Sequence, residues 1–121
     1  DHAMLDMGDF AGGMLKYLAK KPVARVTIGG GIGKITKLAQ GAIDLHSGRS
    51  QVDFAALADM TGHDAIRGAN TALEAYQIAG ADMADAVASR ALEEVSNRFQ
   101  GMVFDIVVID RAGNIIGRAG G

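Results

Sequence analysis

Four glycines in five residues, Gly29-Gly30-Gly31-Ile32-Gly33, stand between a strand pattern and a helix pattern. No other feature constrains this chain more. Val26 and Ile28 read as the end of a buried strand, and a helical pattern begins directly after the glycines. Without Cβ atoms such a loop reaches positive φ cheaply and lets a ligand approach the main chain. Free N–H groups at the helix start favour an anion or a carboxylate. The stretch from Arg25 to Ser47 is therefore where packing gives way to chemistry.

Two phosphate motifs are tested by this loop. The P-loop needs Gly at its first position and Ser or Thr after its Lys, but Ile28 and Ile35 stand there. Gly29 to Gly33 fits a loose G-x-G-x-G, as in nucleotide and S-adenosylmethionine sites. Lys34, however, replaces the third Gly of the dinucleotide fingerprint, and Ser50, Gln51 and Val52 occupy the region where its acidic residue is expected. A purely structural turn remains an alternative for the glycines.

The rest of the chain can be arranged around the loop. Ala3 to Met7 reads as a strand end, with Asp9 as the N-cap of a helix that carries Phe10, Met14, Tyr17 and Leu18 on one face until Pro22 stops it. Val23 to Ile28 is the next strand. Strand, helix, strand, helix is the pattern of a parallel sheet with right-handed crossovers. The Met7 to Asp9 and Gly29 to Gly33 turns then share the carboxyl edge, where open α/β sheets bind ligands.

The helix after the glycines, from about Lys34 to Ile43, buries Ile35, Leu38, Ala39, Ala42 and Ile43. Lys34 and Lys37 share a face near its N-terminus, where the macrodipole disfavours cations, so a fixed anion would relieve the conflict; a solvated face is the alternative. Asp44 to Ser50 reads as a loop in which His46, Ser47 and Arg49 form a donor cluster for carboxylates, or a hydrogen-bonded structural loop. A helix of that length rises about 15 Å, which places His46 away from the glycines unless Leu45 to Asp53 folds back. A Ser-His nucleophilic pair is disfavoured because adjacent residues seldom aim at each other. His2, His46 and His63 have no metal-ligand spacing, so no metal site is assigned.

Three further helices are expected. One holds Phe54, Leu57 and Ala58, a second runs from Ile66 through Ala69 and Leu73 to Tyr76, and a third from Met83 to Phe99, begun by Asp82. Arg67 and Asn70 could project from the second towards the site, but a polar outer face explains them adequately and they are left out of it. Met102 to Ile109 is an apolar run that suits a central strand covered on both faces, interrupted by Asp105. Arg111 to Asn114 is a turn, and Asn114 to Gly117 returns as an antiparallel edge.

The expected fold is thus one α/β domain spanning residues 1–121, three-layered, with a mainly parallel sheet and an antiparallel C-terminal edge strand. At 121 residues the chain suffices for one modest core. A net charge of −2 offers no basic surplus for a nucleic-acid partner. With no Cys there is neither disulfide nor thiol chemistry, and no apolar run has membrane length.

Gly30, Ile32-Gly33-Lys34, Lys37-Leu38-Ala39, Gly41 and His46-Ser47, with Gly8-Asp9-Phe10 upstream, resemble the CbiD family of corrin-ring methyltransferases of cobalamin biosynthesis. The resemblance runs through most of the chain, strongest from Gly8 to Asp53, and matches the C-terminal portion of a longer, two-domain family protein whose N-terminal domain would lie upstream of Asp1. Many members carry His where Gly31 stands and Thr where Leu45 stands, so no role of those side chains transfers. The resemblance implies a cytoplasmic enzyme that moves a methyl group from S-adenosyl-L-methionine to C1 of cobalt-precorrin-5B, giving cobalt-precorrin-6A. Gly29, Gly30, Gly31 and Gly33 would then take the adenosylmethionine or its carboxylate tail, and Asp9, Lys34, Lys37, His46, Ser47 and Arg49 the corrinoid, whose cobalt needs no protein ligand; the reverse division is the alternative. Rival readings are a nucleotide or phosphate-binding module and a non-catalytic assembly domain.

Overall fold

A computed structural model of the chain describes residues 2–6, 25–41, 52–99 and 101–120. Strands β1 (His2–Asp6), β2 (Arg25–Gly30) and β3 (Val103–Ile109) are parallel neighbours, and β4 (Ile115–Ala119) runs antiparallel along β3, in the order β1-β2-β3-β4. Between β2 and β3 come the helices α1 (Ile32–Ala39), α2 (Phe54–Thr61), α3 (Ala72–Ala79) and α4 (Ala81–Arg98), with a 3-10 turn at Asp64–Gly68. The α/β class, the mainly parallel sheet and the antiparallel C-terminal edge are those the sequence predicts.

Period-two burial builds one face of the sheet. Val26, Ile28, Phe104, Ile106 and Val108 are buried, and α4 lies over β3 and β4. Along α4 the residues Met83, Ala84, Val87, Ala88, Ala91 and Val95 form a buried stripe at helical spacing, small enough for close approach. Helix α1 adds Ile35 and Leu38, both fully buried, while α3 stacks on α1 and α4, and α2 packs on α4 and the 3-10 turn. Burying each such side chain contributes about 1.5–3 kcal/mol. The described residues account for two of the three layers expected.

Strand β3 is less covered than its apolar run suggests. Val103 is 54% exposed, while Asp105, opposite Thr27 on β2, turns away from α4. There the Arg25 guanidinium donates from Nε to Asp105 Oδ2 at 2.6 Å and from Nη2 to Oδ1 at 2.8 Å, and the Thr27 hydroxyl donates to Oδ2 at 3.4 Å. This pairing holds the Arg25 pKa above its ordinary value, first through the hydrogen bond and then through the charge of Asp105. The carboxylate that breaks the apolar run thus cross-links β3 to β2.

Two helix boundaries differ from expectation for local reasons. The described part of α1 ends at Ala39, with Gln40 as C-cap and Gly41 at φ +87°, a left-handed conformation that only glycine adopts without strain. The expected single helix from Ile66 to Tyr76 is two elements. Thr71 accepts a hydrogen bond from the Glu74 amide at 3.0 Å and starts α3 afresh, burying Ala72 and Ala75 while Leu73 stays 45% exposed. Helix α4 begins from Gly80, so Asp82 stands in its first turn rather than at its cap.

Candidate functional site

The parallel strands β1, β2 and β3 deliver their carboxyl ends to one edge, with Asp6 paired to Gly29 and Gly30 to Val108. Gly29 and buried Gly30 close β2, Gly31 is the extended N-cap of α1 at φ −71° and ψ 166°, and Gly33 lies in the first turn. Contrary to expectation, none of these glycines has positive φ, because strand and helix are joined by a single extended residue.

Packing among the described residues does not require Gly29, Gly31 or Gly33 either. Among the described residues a Cβ on Gly29 would make ordinary contact with Ile109 Cδ1 at 3.5 Å, one on Gly31 would reach Ile109 O only at 4.0 Å, and one on Gly33 would meet nothing within 4 Å. What the glycines leave is bare main chain. Gly31 has no side chain to cap α1, the first intrahelical bond is Ile35 N–H to Gly31 O at 3.0 Å, and the first turn holds no acid. The amides of Ile32, Gly33 and Lys34 therefore have no intrahelical acceptor, an arrangement suited to a carboxylate.

Lys34 is exposed and Lys37 half-buried, and neither has an ion pair or hydrogen bond from its side chain among the described residues. Their expected common conflict with the macrodipole is corrected by the short helix. Lys37 falls in the last turn of α1, where a cation is favoured, and only Lys34 stands near the start. Gly33 and Lys37, four residues apart on one face, line a hollow of about 400 Å³ with Val52, Phe54, Asn70 and Ala72. Lys34 does not line it.

Asn70 reaches this hollow because of a clasp beneath it. Arg67 donates from Nε to Asp64 Oδ1 at 2.7 Å and from Nη2 to Asp59, tying the 3-10 turn to α2 and turning the chain towards α3. The pair raises the Arg67 pKa, through Asp64 first and Asp59 next. Arg67 is thus a structural tie, while Asn70, set aside in the sequence as outer helix face, is a lining residue. The signal that locates it is Thr71-Ala72-Leu73-Glu74, a capping-box pattern that starts a new helix just after Asn70.

A second hollow, about 530 Å³, lies at the other end of α1, among Gln40, Asp53, Met60, Arg90 and Glu94. Its polar groups satisfy one another. Gln40 exchanges two 2.9 Å hydrogen bonds with the Asp53 main chain, Asp53 Oδ1 caps the Ala56 amide, and Arg90 pairs with Glu93 at 2.9 Å and Glu94 at 3.5 Å. Its one cation, Arg90, is already paired with carboxylates, so among the described residues nothing there is left to neutralise an anionic ligand, and the hollow by the glycines is the better candidate despite its smaller size.

Asp9, His46, Ser47 and Arg49 lie outside the described residues, as do the Met7 to Asp9 turn and the Phe10 to Pro22 segment, so the separation of His46 from the glycines does too. Among the described residues there is no group of three or more His, Cys, Asp or Glu placed to hold a metal, and no helix is long and apolar enough to cross a membrane.

The chain matches a family model described as CbiD, C-terminal domain, over residues 44–120. Among curated proteins it is 49% identical to the cobalt-precorrin-5B C(1)-methyltransferase of Brucella anthropi, over 98% of this chain and 36% of that protein. It is 47% identical to the protein of the same name from Halorhodospira halophila, over 99% of this chain and 36% of that one. The counterpart in Brucella ovis is also 47% identical, over 98% and 36%. The chain thus spans little more than a third of the length of these relatives, and the matches to them include the glycine loop that lies ahead of the family-model match. No solved structure matches it.

Proposed function

The chain belongs to the CbiD family, matching its C-terminal domain, and on that premise we propose that it is the C-terminal domain of a cytoplasmic, two-domain enzyme that methylates cobalt-precorrin-5B at C1. The observation that carries the reading is likeness along almost the whole chain to proteins bearing that name. S-adenosyl-L-methionine is the methyl donor of the proposed reaction. The corrinoid is the acceptor, and its cobalt arrives with it as substrate. The N-terminal domain of the same protein is the partner across whose junction the site is completed.

The residues at the glycine loop suit such a donor. Gly31 and Gly33 leave bare main chain that the described residues do not crowd, and the uncapped amides of α1 match a carboxylate tail. The donor supplies an electrophilic methyl group, whose transfer breaks a sulfur–carbon bond while the acceptor carbon forms a new carbon–carbon bond and the sulfonium becomes a neutral thioether. Such a displacement chiefly needs two partners held in line, so this chain's contribution is to bind and orient. Gly29, Gly30, Gly31 and Gly33 hold the donor. Lys34 and Lys37 neutralise carboxylate arms of the corrinoid through charge-assisted hydrogen bonds, with Asp9, His46, Ser47 and Arg49 assigned to the same substrate from the family resemblance.

Calorimetry of the full-length enzyme with S-adenosylmethionine, ATP and NAD, beside a methyl-transfer assay on cobalt-precorrin-5B, tests the reading. Binding of adenosylmethionine alone of the three, with mass gain of one methyl on the corrinoid, is expected. Nucleotide binding without methyl transfer would favour the nucleotide module, and oligomerisation with no small-molecule affinity the assembly domain.

A further inference from the structure

The hollow between α1 and α3 combines features that together specify the chemistry of an occupant. Its apolar wall is Val52, Phe54 and Ala72, and its charged group is Lys37. Among the described residues the Lys37 ammonium has no ion pair and the Asn70 side-chain amide no hydrogen-bond partner. No carboxylate is among the described lining residues. The nearest acid on α3, Glu74, accepts the Asn70 backbone amide at 3.4 Å and so is turned to its own helix start. Gly33, four residues before Lys37, adds no side chain to the entrance, and a Cβ there would meet none of the described residues within 4 Å.

An ammonium and an amide donor against an aromatic and aliphatic wall match an amphipathic acid: a carboxylate on a short arm, attached to an apolar ring. We infer that this hollow is the seat of one carboxylate arm of a polycarboxylate tetrapyrrole, with Lys37 as its counter-ion, Asn70 as the second donor and Phe54 under the edge of the ring. The inference rests on the proposed function for the identity of the ligand and adds Phe54 and Asn70 to the site. At about 400 Å³ the hollow takes an arm and a ring edge, not a whole macrocycle. The rest of the ring then extends over the glycine loop, towards the bare amides of α1. Lys37 and Asn70 are positioning residues for the acceptor, and neither touches the methyl donor.

The full-length enzyme carries the test, in wild-type form and as Lys37→Gln and Asn70→Asp. Asn70→Asp sets a negative charge just ahead of α3, where the macrodipole favours it, so the fold keeps or gains stability while an incoming carboxylate is repelled. With cobalt-precorrin-5B each variant should raise KM about tenfold, the loss of one charge-assisted contact, and leave kcat and adenosylmethionine affinity within about twofold. With an analogue whose arms are amidated, Asn70→Asp should match wild type. Unchanged KM, or equal losses for acid and amide, would overturn the assignment. Titration of uroporphyrin I, a soluble polycarboxylate tetrapyrrole, judges the hollow without turnover: both variants should bind it about tenfold more weakly, and equal binding by all three proteins overturns the inference. A wild-type enzyme that leaves cobalt-precorrin-5B unmethylated defeats the functional reading instead, and the uroporphyrin comparison then decides the hollow by itself.

Discussion

Gly117 on β4 lies so close to Ala84 on α4 that a side-chain carbon on it would stand 2.7 Å from both the carbonyl carbon and the Cβ of Ala84. Two of the three nearest atoms are backbone, so the clash is not relieved by a rotamer change. The contact sets how near the long helix comes to the edge of the sheet.

Gly117→Ala is therefore expected to destabilise the domain by about 1–3 kcal/mol, the cost of overpacking a filled interface. Chemical denaturation reads the loss. Adding Ala84→Gly removes only the Cβ part of the clash, so the double variant should recover some stability but fall short of wild type.

At Gly33 the same substitution has the opposite sign. Its backbone is helical, φ is not positive and a Cβ meets no described residue within 4 Å, so Gly33→Ala should raise stability by about 0.4–1 kcal/mol. Gly33→Val should keep the circular dichroism of the fold yet abolish donor binding in the full-length enzyme. Normal adenosylmethionine affinity in that variant would remove the glycine loop from the site.

Thr36 carries the one buried side-chain oxygen without a hydrogen-bond partner among the described residues; the residue is fully buried in α1. Desolvating an unpaired hydroxyl costs about 1–3 kcal/mol, so Thr36→Val, which keeps shape and β-branching, should stabilise the domain by an amount of that order. A lower denaturation midpoint in the variant would reveal that the hydroxyl has a partner in solution.

The hairpin between β3 and β4 should weaken in acid. Asp110 accepts hydrogen bonds from the amides of Asn114 at 2.8 Å and Ala112 at 2.9 Å, and from Asn114 Nδ2 at 3.3 Å. These donors, the Asn114 amide foremost, hold its carboxyl below the ordinary 3.8. A depressed folded pKa means that the stabilisation is complete above the unfolded value and is lost as pH falls through the folded one. Between wild type and Asp110→Ala, the difference in stability should be constant near neutrality and shrink below about pH 4. A difference independent of pH would assign the effect to turn geometry instead of charge.

The mainly parallel sheet and the antiparallel return were legible in the sequence because they rest on local signals. Alternation at Val26 and Ile28, the apolar run to Ile109, the turn at Arg111 to Asn114 and the stripe from Met83 to Val95 each declare themselves within a few residues. The glycine turn was legible as a place where main chain is left bare, but not the reason: positive φ was expected, and the fold uses none there. Tertiary structure alone decided that Asp105, which looked like an interruption, meets Arg25, a residue 80 positions away. It alone brought Asn70 and Phe54 to Gly33 and Lys37, by way of a clasp at Arg67 that no periodicity announces. Gly33 and Gly117 are the same residue in the sequence with opposite tolerance for a methyl group. Periodicity reports which way a side chain faces along its own element, whereas the space left for it depends on which atoms a distant element sets against it, and that exists only once the chain has packed.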